Sequence, residues 1–225
     1  MLHFKDRVDG GRQLAGLLKD YQGRADVVVV GLARGGVVTA GMVSDGLDLP
    51  LDVVVVRKLG VPGEEELALG ALAEDGVVVL NNDLIRQLDV PDAKVRMVIA
   101  KEKQELAYRV SLYRAQIEPI DVTGKTVLVV DDGIATGATM EAAIKLMRNR
   151  GAARVVVATV VTAIDTIEQL RQLADEIVYL GVPTDFWSIG QFYDDFHQLT
   201  HEEVIDMLRD ARKRAMKRAT AFKSV

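Results

Sequence analysis

Val127-Leu128-Val129-Val130-Asp131-Asp132-Gly133-Ile134-Ala135-Thr136-Gly137-Ala138-Thr139 is the stretch on which the fold turns. Its apolar start has no in/out alternation, the pattern of a strand buried on both faces. Two carboxylates end the run, and a loop of small residues and hydroxyls leads into a helical stretch over 137–150. In open α/β sheets ligands bind beyond the carboxyl ends of the strands, so both acids stand where a site is expected. Thr136, Gly137 and Thr139 let backbone N–H groups and hydroxyls converge at a helix N-terminus, where orphan donors and the helix dipole favour an anion. Adjacent carboxylates repel one another and need hydroxyl donors or a cation to stay ionised in a cleft. A ribose 5-phosphate answers both demands, its diol facing the acids and its phosphate in the loop. The bland alternative, an acidic turn and an ordinary helix cap, leaves the apolar strand and the Thr-Gly-Ala-Thr loop unexplained.

Working outward, the runs at 27–32, 53–56, 77–80 and 155–161 share the same continuous apolar character. They predict an α/β fold with a mostly parallel central sheet flanked by helices, and 177–180 adds an edge strand. Crossover helices are expected over 35–45 and 137–150, and a longer helix over 93–117 between Pro91 and Pro119. Shorter helical stretches cover 14–19 and 202–219. The segment 60–76, with its glycines, one proline and Glu64-Glu65-Glu66, reads as a mobile loop, the acids capping a short helix over 67–72. No linker divides the chain, so 1–225 reads as a single domain.

A net charge of −5 gives no hint of a nucleic-acid partner, which usually shows as a basic domain. The absence of cysteine removes disulfides, thiolate metal sites and a cysteine nucleophile, and it fits a reducing cytoplasm. The N-terminal residues have no apolar core of a secretory signal, and no apolar run is long enough to span a membrane. A cytoplasmic protein is the expectation.

Gly31-Leu32-Ala33-Arg34-Gly35-Gly36 closes the first strand and opens a helix. Paired glycines permit close backbone approach to a ligand, and Arg34 brings a guanidinium suited to a phosphate. Arg57-Lys58 ends the next strand and suits a leaving group of several negative charges, or is a basic strand end in water. Gly124-Lys125-Thr126 mimics the tail of a phosphate-binding P-loop, but Pro119 stands at its leading glycine and a strand follows. His197 and His201 read as a polar surface pair, since a metal site needs a third ligand. Arg209, Arg212, Lys213, Arg214, Lys217 and Arg218 complement the dipole of a last helix.

The acidic stretch resembles the 5-phosphoribosyl-1-pyrophosphate (PRPP) signature of type I phosphoribosyltransferases. Their fold, with a small hood subdomain, is what this resemblance implies. By it, Asp131 and Asp132 meet the ribose hydroxyls, and Ala135, Thr136, Gly137, Ala138 and Thr139 hold the 5-phosphate; Ala138 replaces a glycine often seen there. Arg34, Gly35 and Gly36 are similar to the family's pyrophosphate loop, and Arg57 and Lys58 to a pair in orotate phosphoribosyltransferases. Arg57, Lys58 and Asp132 are the expected catalytic residues. A Mg ion is expected near Asp131 and Asp132, directly or through water. The family's 6-oxopurine enzymes carry an aspartate where this chain has Ala135, which argues against hypoxanthine or guanine. The hood is expected over about 181–200 together with N-terminal residues. This segment holds Phe186, Trp187, Phe192, Tyr193 and Phe196, and with Ile134 the first three are candidates for an acceptor pocket; packing or a dimer contact explains them equally. Arg57-Lys58-Leu59-Gly60 and Phe192-Tyr193-Asp194-Asp195-Phe196 are similar to a bacterial and archaeal group of unassigned acceptor. The implied function is transfer of ribose 5-phosphate from PRPP to a nitrogenous acceptor by a homodimer, without nucleic acid or membrane. The alternative is a regulator that binds PRPP without turnover.

Overall fold

The computed structural model describes residues 2–222, apart from the side chains of Glu66 and of 218–222; of the sequence expectations, Glu66 as a cap and the Arg218 charge lie outside the described side chains. The strands are β1 (Val27–Ala33), β2 (Leu51–Val61), β3 (Glu64–Ala73), β4 (Val78–Leu80), β5 (Thr126–Ile134), β6 (Arg154–Thr162) and β7 (Glu176–Gly181). They form one sheet in the order β4-β3-β2-β1-β5-β6-β7. From β2 across to β7 every neighbouring pair is parallel, while β3 and β4 add antiparallel strands at one edge. The chain leaves β1 toward β2 on one side, and β5 sits on the other. The carboxyl ends of β1 and β5 therefore flank the switch point at which such sheets bind ligands.

The helices are α1 (Arg7–Leu17), α2 (Gly35–Leu47), α3 (Asn82–Gln87), α4 (Asp92–Arg114), α5 (Ala138–Asn149), α6 (Ile164–Arg171) and α7 (His201–Phe222). The period-2 geometry of the strands sorts their side chains between two cores. Val27, Val29, Val53, Val55, Leu128 and Val130 pack with Leu14, Val37, Val43, Tyr113 and Val204, so α1, α2, α4 and α7 cover one face. Val28, Val30, Val54, Val127 and Val129 pack with Met140, Ile144, Met147 and Leu170, so α5 and α6 cover the other. Each such side chain contributes about 1.5–3 kcal/mol when fully buried. Gly10 and Gly11 let α1 lie close, since a Cβ on Gly11 would come within 2.8 Å of the Thr39 carbonyl oxygen. Those two glycines explain why the sequence pattern shows only the second half of α1.

One expectation is overturned. The segment 60–76 is largely an ordered β-hairpin, in which Val61 pairs with Glu64 across Pro62-Gly63 and 67–72 is strand, not helix. Acids favour a helix start only when the helix finds a core; this segment found the open edge of β2, and pairing overrode local preference. Gly70 is required here by its φ of +156° and by β4, because a Cβ would lie 1.9 Å from the Val79 carbonyl oxygen. It follows that Arg57 and Lys58 lie within β2, opposite Leu72 and Ala71, and do not end it.

At the beginning of β2, Asp52 accepts hydrogen bonds from Arg114 Nη1 at 2.7 Å and from the Ile120 N–H at 2.9 Å. Glu74 accepts from Arg150 Nη2 at 2.8 Å and from the Val55 N–H at 2.9 Å. These buried ions fix the end of α4 against the sheet. No helix among the described residues is long and apolar enough to cross a membrane.

Candidate active site

β5 delivers Asp131 and Asp132 to the switch point, and the loop after β1 meets them there. A Cβ on Gly35 would lie 2.1 Å from Asp132 Oδ2, and one on Gly36 would lie 2.6 Å from Asp131 Oδ1. The Arg34-Gly35-Gly36 backbone is thus pressed against both carboxylates, at a distance that only glycine allows. The Ala33–Arg34 peptide is cis. Arg34, whose side chain is half-buried, opens α2.

The two acids have different partners. Asp132 is 6% exposed and its Oδ2 accepts a hydrogen bond from Arg7 Nε at 2.5 Å. Asp131 Oδ1 accepts the Asp132 N–H at 2.9 Å. Burial raises the proton affinity of both. For Asp131 the charge of Asp132 adds to the effect and carries it well above the usual carboxylate range. For Asp132 the Arg7 guanidinium opposes it. The chemistry that would relieve this strain is a cation or a set of hydroxyl donors. Two carboxylates are also a sufficient protein contribution for Mg, which keeps waters and takes further ligands from substrate phosphates. Among the described residues no group of three His, Cys, Asp or Glu is gathered as a metal cage. His197 instead contacts Asp195 at 3.1 Å, and His201 Nδ1 lies 2.7 Å from the Tyr113 hydroxyl.

The loop that follows β5 is braced where α5 begins. Gly137, with a φ of +76°, is the N-cap of α5, and the Ala135 carbonyl accepts a 2.5 Å hydrogen bond from Thr166 Oγ1. Ala135 and Thr136 are exposed while Ala138 and Thr139 are half-buried, so the α5 N-terminus opens outward from a braced backbone. Thr136 and Ala138 line a cleft of about 510 Å³ together with Asn81, Asn82 and Arg86.

Arg57 and Lys58 belong to a different cleft, of about 540 Å³, between the β2–β3 hairpin and α4. Arg57 already pairs with Glu102 of α4, Nε at 2.8 Å and Nη2 at 2.6 Å. The aromatic residues of 181–200 divide. Phe186 packs against Phe192 with ring centroids 5.5 Å apart, and Trp187 is 88% exposed. Phe192 and Ile134 are buried in opposite cores, so the structure does not bring these four side chains to one surface.

Sequence reasoning missed Arg7. Its guanidinium joins Asp132 to the segment after β7: Nη1 donates to the His197 carbonyl at 2.9 Å, and the group lies 3.8 Å from the Phe196 ring centroid. Tyr193 stacks on Phe196 at 5.1 Å and donates its hydroxyl to the Asp132 carbonyl at 2.6 Å. The N-terminal strand-like residues complete this layer, with Phe4 exchanging backbone hydrogen bonds with Phe192 and Asp194. Arg7 carries no local signal, because its partner is 125 positions away.

Comparison with known proteins places this geometry. A family model described as "Phosphoribosyl transferase domain" matches residues 3–197. A Mycobacterium tuberculosis protein (strain H37Rv) named "Putative phosphoribosyl transferase" is 45% identical over 210 residues, 93% of this chain and 47% of that protein. The chain thus spans about half the length of the curated relatives it matches most extensively. Over a shorter stretch of 81 residues, 34% of this chain and 29% of the relative, it is 43% identical to a ribose-phosphate pyrophosphokinase of Pyrococcus furiosus. The crystal structure of TT1426 from Thermus thermophilus superposes with a TM-score of 0.77 at 41% identity, covering 92% of this chain and 98% of that one.

Proposed function

The chain belongs to the phosphoribosyl transferase domain family and has the type I α/β fold, and from that premise we propose that it binds PRPP and transfers its ribose 5-phosphate to a nitrogenous acceptor. The bond from ribose C1 to pyrophosphate oxygen breaks, the bond from C1 to the acceptor nitrogen forms, and the acceptor gives up a proton. The observation that carries the reading is the meeting of Gly35-Gly36 with Asp131-Asp132 beside the open N-terminus of α5.

In this reading the residues 135–139 hold the 5-phosphate through the first N–H groups of α5 and the Thr136 and Thr139 hydroxyls. The carboxylates accept the ribose hydroxyls, and the backbone of 34–36 lies along the pyrophosphate with Arg34 as its cation. Mg, held by Asp131 and Asp132 directly or through water, would neutralise charge gathering on the departing pyrophosphate. Fixing the ribose while charge develops on the leaving group is a positional and electrostatic task, which suits a site built of braced backbone and buried ions.

A second reading, a regulator that binds PRPP without turnover, is favoured by one observation. Arg57, a cation expected to meet the leaving group, is occupied by Glu102. One assay separates the two. The protein is incubated with PRPP, Mg and a panel of bases and amines while pyrophosphate release is followed. Release with one acceptor, lost in Asp131→Asn, supports transfer; tight PRPP binding with no release across the panel supports the regulator. If PRPP neither binds nor raises the melting temperature, both readings fail.

A further inference from the structure

Successive residues of a strand point to opposite faces, so the acids of an Asp-Asp pair at the end of β5 are not equivalent. Asp132 shares the parity of Leu128 and Val130, which face α1, and it meets Arg7 there. Asp131 shares the parity of Val127 and Val129, which face α5, the helix whose N-terminus follows the phosphate loop. Arg7 is held from three directions. Its Nε binds Asp132, its Nη1 binds the His197 carbonyl, and its guanidinium plane is covered by Phe196. A Cβ on Gly35 would come within 2.9 Å of that same Nε. One side chain therefore touches the acid pair, the glycine loop and the aromatic layer after β7.

Resting on the PRPP reading above, we propose that Arg7 is a positioning residue: it clamps the Asp132 side chain in place against the glycine loop and the aromatic layer, and it leaves Asp131, on the other face of β5, as the carboxylate that meets the ligand's hydroxyls or metal. Arg7 touches neither ribose nor pyrophosphate and acts through Asp132. The groups facing Asp132 are few. Arg7 comes from α1, Asp131 from β5 itself, and the Tyr193 hydroxyl from the aromatic layer, where it donates to the Asp132 carbonyl. Tyr193 is held neutral by burial, its phenol pushed far above the ordinary value. Asp195 lies near enough to Arg7 to feel its charge. Of these, Arg7 is the cation paired with the Asp132 side chain, and its loss leaves that buried carboxylate without its ion-pair partner.

The test is calorimetric titration of PRPP with Mg into wild type, Arg7→Met and Arg7→Lys. Arg7→Met is expected to weaken PRPP roughly 10- to 100-fold, the range seen when a partner that orients a ligating group is removed. Arg7→Lys, which keeps the charge, recovers part of that loss. A purely structural role would lower the fraction of binding-competent protein and leave the dissociation constant alone. Wild-type affinity in a folded Arg7→Met protein overturns the proposal. If Arg7→Met does not fold, Arg7→Lys decides: a dissociation constant identical to wild type overturns the proposal, and a weakened one supports it. Absence of PRPP binding by the wild type is the separate result that removes the functional reading, and this proposal with it.

Discussion

Replacing Gly35 by alanine tests the closest contact in the site. In most helices this substitution stabilises, by about 0.5–1 kcal/mol, because glycine loses more backbone freedom on folding. Gly16 in α1 is such a case, since nothing lies within 4 Å of a Cβ built there. At Gly35 the new methyl would sit 2.1 Å from Asp132 Oδ2, 2.9 Å from Arg7 Nε and 3.0 Å from Asp132 Cγ. Contact needs more than 3 Å, so something must move by nearly 1 Å. Neither neighbour is a free chain end: the ion pair is 2.5 Å long and its side chains are 9% and 8% exposed. Displacing it overpacks the site at about 1–3 kcal/mol, and full separation of a buried pair costs about 3–5 kcal/mol. Since the pair bends before it breaks, the expected net loss is about 2–4 kcal/mol after the backbone-entropy gain. For a chain of 225 residues that lowers the melting temperature by about 5–15 °C, at roughly 2–4 °C per kcal/mol. Gly16→Ala, measured beside it, should melt slightly above wild type. Scanning calorimetry of the three proteins decides. If Gly35→Ala melts within about 1 °C of wild type, the packing of the glycine loop on the acid pair is wrong.

Asp131 gives a pH prediction of definite sign. Its proton affinity is raised in the fold, so the fold is favoured while the group is protonated and loses stability as pH rises through the folded pKa. Urea midpoints should therefore show ligand-free Asp131→Asn more stable than wild type at pH 7, the two converging near pH 4, close to the usual carboxylate range; parallel curves would refute this. Arg114→Met should cost about 3–5 kcal/mol by stranding buried Asp52, and a urea midpoint near the wild-type value would contradict the ionic network at β2. Trp187→Ala should change stability by no more than about 0.5 kcal/mol, as its side chain lies in solvent, and a larger loss by thermal melting would mean that Trp187 packs in solution.

The parts of the fold that were legible in the sequence are those whose signal is local. Val27–Ala33, and Arg154–Thr162 from its second residue on, are buried on both faces, and such strands are apolar at nearly every position. The turn from β5 into α5 was legible for a similar reason, since a helix start opened by Gly137 among small residues is written in contiguous positions of the chain. The β2–β3 hairpin was not, because what turns Glu64–Ala73 into a strand is the free edge of β2, and no residue of that segment records the edge. The aromatic segment was legible only as a cluster; whether Phe192 stacks on a ligand or packs inside depends on Phe4 and Phe186 meeting it.

The acid pair marks the boundary between the two kinds of information. Its location followed from strand context, and its asymmetry was implicit in the parity of β5, because Leu128, Val130 and Asp132 must share a face. Parity says which way each carboxylate points but not what it meets. That Asp132 finds an arginine while Asp131 accepts its neighbour's N–H depends on α1 lying close against β6 and α2, which Gly10 and Gly11 permit by their lack of side chains. A chain with the same Asp-Asp loop and bulkier residues at 10 and 11 would hold Arg7 away from the sheet. It would keep the signature and lose the Arg7–Asp132 pair.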